Sequence, residues 1–203
     1  MLINPPGCWF SLHRPRPVGG IRAALFLDRD GVIIPDRPYR RDTDDMELID
    51  GVAELIMAAR GAGMAVVVVT NQSGIGRGYF SWSDFAKVNT HMVEMLGDAL
   101  APVDAVLAAG WHEAAPASMF AADQRHWRKP APGMFFEAAS QLNIDLVKSC
   151  MIGDKQSDMA AARAAGIATG ILLTYSVIDS DHLGDGFRQH FIPDLRQCLR
   201  YIT

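Results

Sequence analysis

Ala23-Ala24-Leu25-Phe26-Leu27-Asp28-Arg29-Asp30-Gly31-Val32-Ile33 is the stretch that decides the fold. Its five leading apolar residues carry no charge, the composition of a strand buried on both faces of a sheet. The run stops at two carboxylates one residue apart, followed by glycine. Such a strand delivers Asp28 and Asp30 to its C-terminal edge, and in an open α/β sheet that edge is where ligands bind. Two acids held close repel one another, which raises a pKa or recruits a cation. Mg²⁺, a hard cation that prefers oxygen ligands, meets that need. Asp-x-Asp-Gly also suits an ordinary turn or the start of a calcium-type loop, and the motif by itself leaves these readings open.

Outward from this strand, apolar runs alternate with helical patterns. Leu48 to Ala62 sets Leu48, Val52, Leu55, Ile56 and Ala59 at helical spacing and ends in Gly61-Ala62-Gly63. Met64 to Val69 is a second buried strand, closed by the polar, glycine-rich Thr70-Asn71-Gln72-Ser73-Gly74. Ser81 caps a helix running to Leu100, and Val103 to Leu107 is a third strand. An irregular segment, Gly110 to Trp127, leads to Arg128-Lys129-Pro130 and a helix from Met134 to Leu142. Ser149 to Ile152 is a fourth strand, ending in Gly153-Asp154-Lys155-Gln156-Ser157-Asp158. An alanine-rich helix from Met159 to Ala165 stops at Gly166, and Ile167 to Leu173 is the fifth strand. Phe191 marks a brief sixth element before a terminal helix, Asp194 to Tyr201.

This alternation predicts a doubly wound, Rossmann-like parallel α/β sheet of five to six strands, in one domain over residues 21–203. Residues 1–20 carry four prolines before Val18 and show no period, which predicts an irregular extension packed in part through Trp9 and Phe10.

The 203 residues, 49% hydrophobic and 21% charged, suit a globular domain with a sizeable core. A net charge of −4 argues against a nucleic-acid backbone as partner. Cys8, Cys150 and Cys198 are odd in number and widely spaced, so they suggest neither a disulfide framework nor a Cys-x-x-Cys metal site. No apolar run approaches the roughly 18 residues of a membrane span, and the N-terminus lacks a signal-peptide core. A cytoplasmic monomer acting on a small molecule is the expectation.

If the strands are parallel, four polar sets meet on one edge: Asp28 with Asp30, Thr70 with Asn71, Lys129, and Asp154 with Asp158. Three acids, a cation and a hydroxyl form the inventory of a Mg²⁺-dependent phosphoryl-transfer site. Phosphate needs donors and positive charge, and a carboxylate nucleophile needs a metal to suppress its repulsion from that anion. Lys129 and Thr70 can grip the non-bridging oxygens.

The ordered set DRDG, TNQSG, RKP and GDKQSD, spanning about two-thirds of the chain from Leu25 to Gly166, resembles the haloacid dehalogenase (HAD) superfamily of phosphatases. By that resemblance Asp28 is the nucleophile that forms an aspartyl-phosphate, and Asp30 is the acid and base. Thr70 and Lys129 stabilise the transferring group. Asp154 binds Mg²⁺ with Asp28 and the backbone carbonyl of Asp30; Asp158 supports Lys129 or the metal's water shell, and Lys155 tunes the neighbouring charge. The finer wording is similar to the subfamily containing D-glycero-D-manno-heptose-1,7-bisphosphate 7-phosphatase and histidinol-phosphate phosphatase, which lacks a large cap domain. In that subfamily the positions of Asp36, Arg37, Pro38, Tyr39, Asn71, Gln72, Ser73 and Arg128 contact substrate. Arg128 can offer a bidentate fork to a second phosphate or a carboxylate.

One region departs from the subfamily, whose members commonly hold a structural zinc by cysteines just before the Arg-Lys-Pro. This chain has Arg125-His126-Trp127 there and no cysteine between Cys8 and Cys150. Two histidines, His112 and His126, without thiolates make a poor zinc site, so no structural zinc is expected. Trp111, Met119, Phe120 and Trp127 are expected to hold the loop by apolar packing. The resemblance implies a phosphosugar substrate such as heptose 1,7-bisphosphate. Histidinol phosphate or a broad set of phosphoesters is the alternative, and a catalytically silent phosphate-binding scaffold is the non-enzymatic one.

Overall fold

Every residue from Ala24 to Leu27 is fully buried, and the four point alternately into two separate cores. The structure, a computed structural model, describes residues 2–3, 7–15, 19–116, 119–120, 124–174, 182–183 and 186–202. Its strands are β1 (Leu2–Ile3), β2 (Cys8–Leu12), β3 (Ala24–Leu27), β4 (Ala65–Asn71), β5 (Ala105–Ala109), β6 (Cys150–Gly153), β7 (Thr169–Leu173), β8 (His182–Leu183) and β9 (Phe187–Ile192). The helices are α1 (Val52–Gly61), α2 (Ser73–Gly76), α3 (Trp82–Asp98), α4 (Gly133–Leu142) and α5 (Gln156–Ala164).

The strands form one sheet in the order β1-β2-β5-β4-β3-β6-β7-β9-β8. From β5 through β9 the neighbours are parallel. β3 lies between β4 and β6, the point where the winding reverses and a crevice opens beyond the strand ends. Leu25, Leu27, Val66 and Val68 face α1 and α3 through Leu55, Phe85 and Met92. Ala24, Phe26, Ala65 and Val67 face α4 and α5, with Phe26 edge-on to Phe135 at 4.9 Å. Burial of each large side chain contributes roughly 1.5–3 kcal/mol, so both faces of β3 are fixed by packing before any polar contact is counted.

Two expectations are corrected. Residues 8–12 are not irregular: they form β2, antiparallel to β5 with Cys8 opposite Ala109 and Leu12 opposite Ala105. The prolines that mask the pattern all fall outside those five residues. Trp9 stacks on Trp82 at 5.8 Å and meets Phe85 edge-on at 5.3 Å. Seven strands are longer than two residues, rather than five to six, and β2 accounts for the excess.

The remaining element expectations hold within a few residues at their ends. Ser81 caps α3 in a reciprocal box with Asp84: its hydroxyl accepts from the Asp84 N–H at 3.2 Å, and its own N–H donates to Asp84 Oδ2 at 2.9 Å. The terminal helix is of the tighter 3₁₀ kind, Leu195–Tyr201, and Asp194 accepts from the N–H groups of Arg196 and Gln197. No helix of the described residues is long and apolar enough to cross a membrane.

Candidate active site

The parallel strands deliver their polar termini to one edge. Asp28 follows β3 directly, with its N–H donating to the Ile152 carbonyl of β6 at 3.0 Å and its Oδ1 accepting from the Arg29 N–H at 2.7 Å. Its side chain is buried. Lys129, from the segment before α4, is buried as well, and each of its three ammonium protons has an oxygen nearby. Nζ donates to the Val69 carbonyl at 2.7 Å and lies 3.1 Å from Asp28 Oδ1 and 2.6 Å from Asp158 Oδ1.

Burial pushes the Asp28 carboxyl up to about 7, with Lys129 opposing and Asp158 and Asp30 adding to the rise. For Lys129 burial acts against the charged form, but Asp28 and Asp158 outweigh it and the net shift is upward. Asp158 is fully buried, and its Oδ2 also accepts from the Lys155 N–H at 3.0 Å, closing the first turn of α5.

Asp30 turns away from this pair. Arg29 Nε and Nη2 hold its carboxylate at 2.9 to 3.2 Å, Gln72 Nε2 donates to Oδ2 at 3.0 Å, and Thr70 Oγ1 lies 3.5 Å away. Gln72 Nε2 also lies 2.8 Å from Thr70 Oγ1. Arg29 is buried and its guanidinium sits 5.5 Å over the Phe85 ring. Its clamp on Asp30 was not anticipated, because a basic residue between two acids reads simply as neutralising charge.

A cation fits the remaining acids. Oxygens of Asp28, Asp154 and Asp158 lie within 4.8 Å of one another, and Asp154 Oδ1 is buried with no hydrogen-bond partner among the described residues. Burial raises the Asp154 carboxyl, with Lys155 opposing. An orphaned carboxylate oxygen in an acidic cluster is an arrangement a hard divalent ion satisfies. The Asp30 carboxylate is committed to Arg29 and Gln72, which leaves only its backbone carbonyl for the metal role that the resemblance implies.

Above these groups opens a cleft of about 590 Å³. Asp36, Arg37, Pro38, Tyr39, Asn71, Gln72, Ser73 and Arg128 all line it, together with Arg40, Gly74, Phe80 and Ser157, for which the sequence offered no individual role. Asp36 Oδ2 pairs with Lys155 Nζ at 3.1 Å, and Lys155 Nζ reaches Asp154 Oδ2 at 3.2 Å, so the loop after β3 is tied to the acid cluster. Asn71 spends both ends of its amide on Lys129, donating to its carbonyl at 2.9 Å and accepting from its N–H at 3.0 Å. In the segment from Gly110 to Trp127, Phe120 and Trp127 are buried and Trp127 Nε1 donates to Gln124 at 3.0 Å. Met119 is instead exposed, and Trp111 lies under Arg125 at 5.6 Å. His112 faces Arg77 at 2.9 Å, and His126 packs on Trp127 at 4.7 Å.

A doubly wound sheet thus gathers Asp28, Asp30, Thr70, Lys129, Asp154 and Asp158 at its switch point. A family model described as HAD-hydrolase-like matches residues 126–198. The chain is 44% identical over 171 residues to D-glycero-beta-D-manno-heptose-1,7-bisphosphate 7-phosphatase of Mesorhizobium japonicum, covering 84% of this chain and 78% of that one. It is 40% identical to D-glycero-alpha-D-manno-heptose-1,7-bisphosphate 7-phosphatase of Burkholderia mallei, covering 74% of this chain and 79% of that one. The crystal structure of a HAD-like phosphatase from Mesorhizobium loti superposes with a TM-score of 0.88 at 40% identity, covering 97% and 93%. That of D,D-heptose 1,7-bisphosphate phosphatase from B. bronchiseptica, complexed with magnesium and phosphate, gives 0.71 at 25% identity over 89% and 97%. The chain belongs to the HAD-like family, among its phosphoric monoester phosphatases.

Proposed function

We propose that this chain is a Mg²⁺-dependent phosphatase that removes one phosphate from a small phosphosugar through an aspartyl-phosphate, with heptose 1,7-bisphosphate as the preferred substrate. The observation that carries this reading is the buried Lys129 ammonium, 3.1 Å from Asp28 at the floor of the cleft, beside the unpartnered oxygen of Asp154.

An Asp28 oxygen attacks phosphorus, and the ester P–O bond breaks. Asp30 gives its proton to the departing alkoxide. Water then attacks the phosphorus of the aspartyl-phosphate while Asp30 takes its proton, releasing inorganic phosphate and restoring the Asp28 carboxylate. Lys129 and Thr70 hold the phosphoryl oxygens, and Arg29 and Gln72 hold Asp30 in place for both proton transfers. Asp28, Asp154 and the Asp30 carbonyl would hold Mg²⁺, which supplies the positive charge that lets an anionic nucleophile approach an anionic phosphate.

Names of the relatives support the sugar bisphosphate. The cleft agrees with it, because Arg37, Arg40, Arg128 and Lys155 line it while its one exposed acid of the loop, Asp36, is paired with Lys155. An amino alcohol such as histidinol phosphate asks for a free acidic contact. Three free, buried cysteines support a reducing, cytoplasmic setting.

The test is phosphate release with Mg²⁺ from both anomers of heptose 1,7-bisphosphate, histidinol phosphate and other phosphoesters, each beside Asp28→Asn. A kcat/KM for one heptose bisphosphate at least about a hundredfold above the rest, or about 2.7 kcal/mol in transition-state binding, is the expected result. No Asp28-dependent turnover of any phosphoester would overturn the reading.

A further inference from the structure

Arg40 is a cation in a costly position. It is 5% exposed, and among the described residues its Nη1 donates to the Asp44 carbonyl at 3.2 Å. Nε and Nη2 are buried without a hydrogen-bond partner, and no acidic side chain among the described residues pairs with it. A buried charge of this kind persists only where something offsets it, because unmet donors on an ionised group forfeit their hydration. The residue lines the cleft that holds Asp28 and Lys129.

The local backbone is arranged to put it there. Tyr39, immediately before, has φ of +51°, a left-handed conformation uncommon for a bulky side chain and one that persists only when its surroundings enforce it. Tyr39 remains 44% exposed and packs edge-on against Tyr79 at 4.6 Å, while its neighbour Arg40 is turned inward.

Arg128 lines the same cleft and repeats the pattern: its Nη1 is also buried and unpartnered among the described residues. The floor is already furnished for the phosphate under attack, through Lys129 and Thr70. We propose that Arg40 is a specificity-determining residue, which with Arg128 receives a second phosphate of the substrate, remote from the one transferred. Three unmet nitrogens on two guanidinium groups suit the three free oxygens of a phosphate dianion, and Arg supplies them in planar forks. The inference rests on the phosphatase reading above and adds a residue to which the sequence motifs assign no role.

The experiment compares D-glycero-D-manno-heptose 1,7-bisphosphate with heptose 7-phosphate, two substrates with the same scissile group that differ in the second phosphate. The readout is the ratio of their kcat/KM values in wild type, Arg40→Gln and Arg40→Lys. The ratio should fall by at least about thirtyfold in Arg40→Gln, the scale of one charge-assisted hydrogen bond, and by less in Arg40→Lys, which keeps the charge and loses the fork. Arg40→Lys retains the aliphatic stem, so a fall in its ratio carries the test where Arg40→Gln does not fold. A ratio unchanged within about threefold in a folded variant overturns the inference, as does a wild type that cleaves both substrates equally well. Failure of the phosphatase reading looks different, since neither substrate would then be cleaved in an Asp28-dependent way.

Discussion

Oδ2 of the Asp154 carboxylate lies 2.5 Å from where a Cβ on Gly31 would stand. Gly31 also has φ of +83°, a conformation that glycine adopts without steric cost. The turn that follows the two leading acids therefore shapes the seat of the third. Gly31→Ala should push Asp154 out of the acid cluster and raise the Mg²⁺ concentration for half-maximal activity at least about tenfold, or about 1.4 kcal/mol. Titrating activity against Mg²⁺ measures this, and an unchanged requirement would remove Asp154 from the metal's ligands.

Lys129 is the sole cation paired with Asp28 and Asp158 among the described residues, all three being buried. Lys129→Met keeps much of the volume and strands two carboxylates. Removal of one partner from a buried ionic group costs about 3–5 kcal/mol, so urea unfolding should show a loss of that order together with loss of turnover. A loss under about 1 kcal/mol would mean that water reaches these acids freely.

The box at the start of α3 gives the pH dependence a local handle. The Ser81 N–H, then its hydroxyl, hold the Asp84 carboxyl below its usual value of 3.8. A carboxyl depressed in the folded state adds stability above the unfolded pKa, and that stability disappears as pH falls through the folded value. Asp84→Asn should therefore lose less Tm than wild type on going from about pH 5 to about pH 3. Parallel curves would assign the acid sensitivity elsewhere.

Trp9 tests whether β2 belongs to the core. It is 3% exposed between Trp82 and Phe85. Trp9→Ala should cost about 3–5 kcal/mol by denaturant unfolding, as for other large-to-small changes in a packed interior. A change below about 1 kcal/mol would make the strand peripheral.

The central sheet was legible because buried parallel strands are written as uninterrupted apolar runs, and the runs at Leu25, Val66 and Met151 each stop at a polar cluster. Those stops coincide with the strand ends, so Asp28, Thr70 and Asp154 could be placed from sequence. β2 was hidden for the opposite reason: Cys8-Trp9-Phe10 is too short an apolar run to show a period, and prolines stand in the sequence on either side of it. Arg29 and Arg40 were hidden by their charge. A guanidinium in a charged stretch looks solvated, and only the chain path shows that one grips Asp30 and the other is buried. Asn71 was expected to touch substrate; although it lines the cleft, its amide is committed to Lys129.

That amide has a wider consequence. Asn71 mimics a rung of the sheet, fastening the Lys129 backbone to the end of β4 by the same donor and acceptor pair that a neighbouring strand would offer. At the far end of the intervening segment, Gln72 N–H is bonded to the Ala109 carbonyl at 2.7 Å and Gly76 N–H to that of Gly110 at 2.9 Å. The stretch from Gly110 to Trp127 is thus a cassette clipped to the scaffold at both ends. The Lys129 ammonium at the floor of the cleft is thereby kept in register with the end of β4, although none of the described residues between 110 and 127 lines that cleft.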